Sequence, residues 1–179
     1  MTKIVYVMKG MKRTHIVTLM LLLLSLTFTI NIAGAEVWYI ADLWAGQNTH
    51  VGWVIVEVDG ANVVVTYEID GEGWFMAQTH LYVALDPPSK SAPGKFPYKN
   101  DPWDVFDQYV IPLLDIGAAS GDTVYIAAHA TVMRLVGWEL GDPGDPCTPI
   151  YEDETAWGWC GEGITFGNAW ARYFTVTVP

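Results

Sequence analysis

The chain has 179 residues and a formal net charge of −11, and half of it is hydrophobic. All twenty Asp and Glu follow Ala35 together with only five of the nine Lys and Arg, so residues 36–179 carry a net charge of −15. A chain this short of cations cannot replace phosphate counterions, which argues against nucleic acid as a partner. Its apolar content and sparse charge exclude a disordered chain, and its length suits one domain with a core of its own.

Residues 1–15 are basic and lack acid. Residues 16–32 are apolar, centred on Leu21, Leu22, Leu23 and Leu24, and Ala33-Gly34-Ala35 follows as a small-x-small site. This order is that of a secretory signal cleaved before Glu36, leaving residues 36–179 as one secreted or cell-surface domain with no membrane span. The retained form would be an anchor.

The rest alternates with period two. Residues 36–43 predict the first strand. Residues 51–58 place Val54, Val56 and Val58 on one face, and residues 62–69 resume the pattern with Val63, Val65, Tyr67 and Ile69. The Asp59-Gly60-Ala61 break between them predicts a hairpin. Further strands are expected over residues 79–85, 108–113, 123–136 and 170–178, and one helical turn over 101–108, with Asp101 as cap and Pro102 at the first position. Short strands with Gly, Pro and Asp turns suggest an all-β antiparallel β-sandwich of about seven to nine strands. Two long loops, 86–107 and 137–168, are left to carry function.

Cys147 and Cys160 lie in the second loop of an exported chain, so a local disulfide is expected. That loop also carries Asp142, Asp145, Asp153 and Glu154. Oxygen-rich clusters suit calcium, the one cofactor the composition suggests, although no EF-hand spacing is present. The bland reading is a solvated acidic loop. His80 and His129 fall within strands. Hydrogen-bonded core histidines are the ordinary outcome, and with Glu154 they are also candidate metal ligands or an acid–base set. No Gly-x-Ser-x-Gly or His-Glu-x-x-His motif is present. Nine Trp exceed the needs of a core this size, and Trp103, Trp138, Trp157 and Trp159, in or beside the long loops, are candidate ligand-binding residues. The alternative is that they form a satellite core under those loops.

Five motifs occur in order: Gln78-Thr79-His80-Leu81-Tyr82-Val83, Pro93-Gly94-Lys95-Phe96-Pro97-Tyr98, Asp122-Thr123-Val124-Tyr125-Ile126-Ala127-Ala128-His129-Ala130, Glu154-Thr155-Ala156-Trp157-Gly158 and Trp170-Ala171-Arg172-Tyr173-Phe174. Over most of residues 43–175 the chain resembles an uncharacterised group of small secreted prokaryotic β-rich proteins. Gln78 stands where that group's pattern has Glu. The resemblance implies a secreted β-rich domain, implies no activity, and draws His80, His129, Glu154 and Trp157 together.

The reading that follows is a non-catalytic secreted or surface protein that acts in binding or extracellular assembly. Its partners would be carbohydrate, as for a carbohydrate-binding module, or other copies of itself through strand addition by the first strand. A metal-dependent or carboxylate-based hydrolase is the alternative from another class.

Overall fold

The computed structural model describes residues 37–142, 146–161, 163–167 and 170–179. The signal segment, Glu36 and Asp145 lie outside the described residues. Among those described are ten strands: β1 (Val37–Ala45), β2 (Thr49–Val58), β3 (Asn62–Ile69), β4 (Trp74–Ala84), β5 (Tyr98–Asn100), β6 (Phe106–Pro112), β7 (Thr123–Glu139), β8 (Thr148–Trp159), β9 (Ile164–Thr165) and β10 (Arg172–Thr177). Every pairing is antiparallel. The main path runs β5-β4-β7-β8-β1-β2-β3-β6, and β10 takes over beside the first residues of β7 where β8 leaves it. The chain is all-β and antiparallel, as its period-two pattern predicts.

The β2–β3 hairpin shows how the pattern works. Asp59 Oδ1 accepts the backbone N–H groups of Ala61 and Asn62 at 3.0 and 2.7 Å, and Gly60 supplies the left-handed residue of the turn at φ 81°. Those bonds hold the Asp59 carboxyl below its usual range. Val54, Val56, Val58, Val63 and Val65 are then all fully buried on one side of the sheet.

The sheet nearly closes on itself. Ile69 N–H donates to Val105 O at 2.8 Å, and Met76 and Asp104 exchange backbone bonds of 2.8 and 3.2 Å, so the segment entering β6 touches both β3 and β4. Beyond that point side chains replace the ladder. Tyr109 OH lies 2.7 Å from Thr79 Oγ1, which donates to Asp107 Oδ2 at 2.5 Å, while Asn100 Nδ2 donates to Asp107 Oδ1 at 2.7 Å. A hydroxyl has one proton, so the chain of donors runs from Tyr109 through Thr79 to the buried carboxylate. Burial pushes the Tyr109 hydroxyl up to about 12.

β7 is covered on both faces. Val124, Ile126, Ala128, Ala130 and Val132 enter the main core, while Ala127 belongs to a second cluster with Phe96, Trp157, Phe166 and Ala171 on the opposite face. This explains why Val124 to Ala128 is apolar on both faces, since a strand buried on both sides needs no polar alternation.

Three expectations are corrected. The helical turn over residues 101–108 is extended instead: Trp103 adopts φ 50°, Asp104 bridges Met76, and Phe106 opens β6. Residues 137–168 are not one long loop, because they hold the end of β7, all of β8, and β9. The acidic, Pro-containing sequence of β8 is a poor strand former, and it is templated by eleven residues of β7 opposite it. The third correction is the disulfide. Cys147 and Cys160 are free, exposed thiols. They flank the two ends of β8, and thirteen positions of extended chain at about 3.3 Å each separate them by about 40 Å. A bridge needs Cα atoms within about 7 Å. Native protein treated with a thiol-alkylating reagent should therefore gain two labels per chain without reductant, and reductant should leave its melting temperature unchanged. A linked Cys147–Cys160 peptide from monomeric folded protein would contradict this strand assignment.

β1 is not a spare strand. It pairs along its whole length with β2 and, over residues 42–45, with β8.

Candidate functional site

The register brings three of the expected residues together. His80 on β4 pairs with His129 on β7, and His129 pairs with Trp157 on β8, so the three side chains share one face of three adjacent strands. The two Nδ1 atoms are 3.3 Å apart, and the His129 and Trp157 rings meet edge to face at 4.9 Å. His129 is 6% exposed and Trp157 2%. Phe96 and Phe166 close over Trp157 with ring contacts at 6.2 and 5.6 Å.

Desolvation by this packing, with the neighbouring His80, pushes His129 down to about 3. His80 is lowered as well, chiefly by burial and then by Lys99, its cross-strand neighbour, with Asp101 opposing. Both imidazoles are thus neutral at neutral pH, one Nδ1–H donating to the other Nδ1. The arrangement is a packed layer, and its hydrogen bond locks β4 to β7.

Glu154 does not join them. It sits opposite Val132, three positions from Trp157 along β8, and an odd offset in a strand turns a side chain to the other face, here about 10 Å away. It lines a separate polar pocket of about 300 Å³ with Gly46, Thr49, Trp74, Arg134 and Glu152. Arg134 fills much of this pocket's chemistry: its Nε donates to Glu152 at 2.8 Å and its guanidinium lies 4.9 Å above the Trp74 ring.

Asp142 is exposed three residues beyond β7, and Asp153 faces Met133 across the strands, so neither meets Glu154 or the histidines. Asp101 accepts from Gln78 at 3.0 Å, Asp104 from the Val105 N–H at 2.6 Å, and Asp107 is consumed in the seam. Among the described residues no three His, Cys, Asp or Glu side chains form a metal-binding group. His50 lies on β2 between Asp42 and Asp70, at 3.4 and 3.9 Å.

The four candidate Trp residues separate. Trp157 is core. Trp159 is half-buried, stacked on Trp44 at 5.8 Å, edge-on to Trp170 at 5.9 Å and covered by the Arg172 guanidinium at 5.2 Å. Trp103 and Trp138 are 63% and 58% exposed and lie in different places. Trp103 packs on Phe75 at 6.0 Å, and Phe75 in turn meets Tyr151 at 5.7 Å.

Trp138 belongs to a feature that sequence reasoning missed. β4 begins pairing with β7 at Arg134, and β1 reaches β8 only from Ala156 onward, with one further bond from Gly46 N–H to Thr155 O. From Leu135 to Glu139 and back from Thr148 to Tyr151, β7 and β8 therefore pair only with each other among the described residues. This two-stranded ribbon runs about 17 Å past the sheet at 3.4 Å per residue. Leu135, Val136, Trp138, Leu140, Ile150 and Tyr151 all stand exposed on it, Leu140 at 82%. The one sequence signal was the loss of alternation from Leu135 to Leu140, where apolar residues continue past the end of the predicted strand.

No family model, curated protein or solved structure matches the chain.

Proposed function

We propose that this is a secreted or cell-surface, non-catalytic protein that works by binding, with the β7–β8 ribbon as its contact element. The observation that carries the reading is the ribbon itself. Two strands without a third are marginal in water, unpaired edges invite further strands, and contiguous exposed apolar side chains mark interaction sites. The burial of His129 against His80 and the structural use of Asp107 support the non-catalytic part, because these buried titratable groups already have partners within the fold. Trp103 and Tyr151, exposed on either side of the half-buried Phe75, support carbohydrate as a second class of ligand, since aromatic faces stack on sugar rings.

Trp138→Ser with Leu140→Ser tests the ribbon. Both side chains are solvent-exposed, so stability should change by no more than about 0.5 kcal/mol per substitution. Binding of a neutral apolar fluorescent dye should fall by most of its amplitude. Unchanged dye fluorescence in a folded double variant would remove the ribbon from the reading.

A further inference from the structure

β8 carries two carboxylates on the core face of the sheet, beyond its last apolar layer. Glu154 is the register partner of Val132, which is fully buried, and Glu152 is the partner of Arg134, which on its other side pairs with Trp74. Alternate residues of a strand share a face. Trp74, Arg134, Glu152 and Glu154 therefore continue the core face outward, to the end of the sheet where β1 turns into β2. The pocket of about 300 Å³ opens there, at the mouth of the nearly closed sheet. Such mouths are common ligand sites, and ordinary ligand pockets run from about 300 Å³ upward.

Charge in this pocket does not cancel. Arg134 Nε and Nη2 both reach one oxygen of Glu152, Oε1. That neutral pair leaves Glu152 Oε2 and Arg134 Nη1 outside it. Glu154 has no hydrogen-bond or ion-pair partner among the described residues. Its carboxylate is nonetheless placed, because it lies against Gly46, where a Cβ would stand 3.3 Å from Oε2. Asn48 turns its Nδ2 to Gly46 O at 3.4 Å and keeps its Oδ1 as an acceptor, and the Thr49 hydroxyl both donates and accepts. An apolar ligand finds little here, since Arg134 already covers the Trp74 ring at 4.9 Å.

We infer that this pocket binds an amino sugar. The protonated amine meets Glu154, and the ring hydroxyls meet Asn48, Thr49 and the unused edges of the Arg134–Glu152 pair. The amine is required by charge: one guanidinium stands against two carboxylates, and a single ammonium neutralises the remainder through a charge-assisted hydrogen bond. The hydroxyls are required by the lining, which offers donors and acceptors side by side, as a group that both donates and accepts demands. The site goes beyond the reading of the ribbon as a contact element. It uses none of the ribbon's exposed apolar side chains and stands or falls without them.

Three probes that share one ring test it on the whole protein: glucosamine, N-acetylglucosamine and glucose. At about pH 6 an amine is protonated and a carboxylate ionised, whereas the other two sugars are neutral. In an NMR titration glucosamine should shift the backbone amides of Gly46 and Thr49 and the side-chain amide of Asn48, and both neutral sugars should bind about tenfold more weakly or worse. Glu154→Gln keeps the shape of an exposed side chain, so the folded spectrum should persist while glucosamine falls to the level of glucose. Thr49→Val should weaken all three sugars by a similar factor and leave the preference intact. Glucose that binds the wild type as tightly as glucosamine overturns the ammonium. Glucosamine affinity unchanged in Glu154→Gln, or no shift at Gly46, Asn48 or Thr49 with any probe, overturns the site. Glucosamine binding lost in the variant with Trp138→Ser and Leu140→Ser would move it to the ribbon and overturn the pocket as well. The ribbon reading is judged separately, by the dye.

Discussion

Gly52→Ala is expected to cost more than about 4 kcal/mol, a large share of the 5–15 kcal/mol that holds a typical domain. Gly52 lies on β2 between Leu43 of β1 and Ile69 of β3. A Cβ added there would stand 1.9 Å from the Glu68 carbonyl oxygen and 2.8 Å from Ile69 Cα. Both are backbone atoms of a paired strand, so no side-chain rotation relieves the overlap. The strands must separate, and the valine layer on either side must follow. Gly60→Ala is the control. A Cβ there meets nothing within 4 Å, and only the left-handed backbone at φ 81° opposes it, at about 1–2 kcal/mol. Urea midpoints of the two variants decide the matter. A Gly52→Ala protein as stable as Gly60→Ala would show that β2 and β3 do not approach as described.

Acid is expected to destabilise the protein through His129 before general carboxylate titration is complete. An unfolded His takes its proton near 6.5, whereas folded His129 takes it only near about 3. Between those values the unfolded chain binds more protons, so this stability is fully present above pH 6.5 and is lost as the pH falls toward 3. At about 1.36 kcal/mol per unit, the full window is worth about 4–5 kcal/mol. His80, lowered in the same direction, adds to the loss. His129→Gln retains a polar group of similar length that does not titrate. Its stability should be lower than wild type at pH 7, where one partner of the histidine pair is lost, and should decline less steeply between pH 6 and 4. Denaturation at pH 7, 5.5 and 4 gives the comparison. Parallel declines in wild type and variant would mean that His129 is not protonated on acid unfolding.

These two predictions draw on different depths of information, and so did the rest of the fold. The β2–β3 hairpin, the five buried valines and the positions of β4, β6, β7 and β10 were legible in the sequence, because a half-buried strand writes its two faces into alternate residues. His80 and His129 were legible as strand residues and as possible neighbours. Their partnership with each other came from the β4–β7 register, a pairing between segments 49 positions apart that no local pattern encodes.

β8 was hidden for a related reason. Its acids and Pro149 argue against a strand locally, and β7 overrides them by offering a complete row of partners. Once β8 is extended, much else follows. The cysteines are carried apart, Glu154 is turned away from Trp157, and apolar residues counted as loop become a projecting ribbon. The closing seam through Thr79, Asp107 and Tyr109 likewise depends on strands far apart in sequence, since Asp107 looked like any other acid until the fold placed it inside. Composition and periodicity determined that this chain is an acidic all-β protein. Strand register, which is settled only when distant segments compete for the same edges, decided which of its residues stand together.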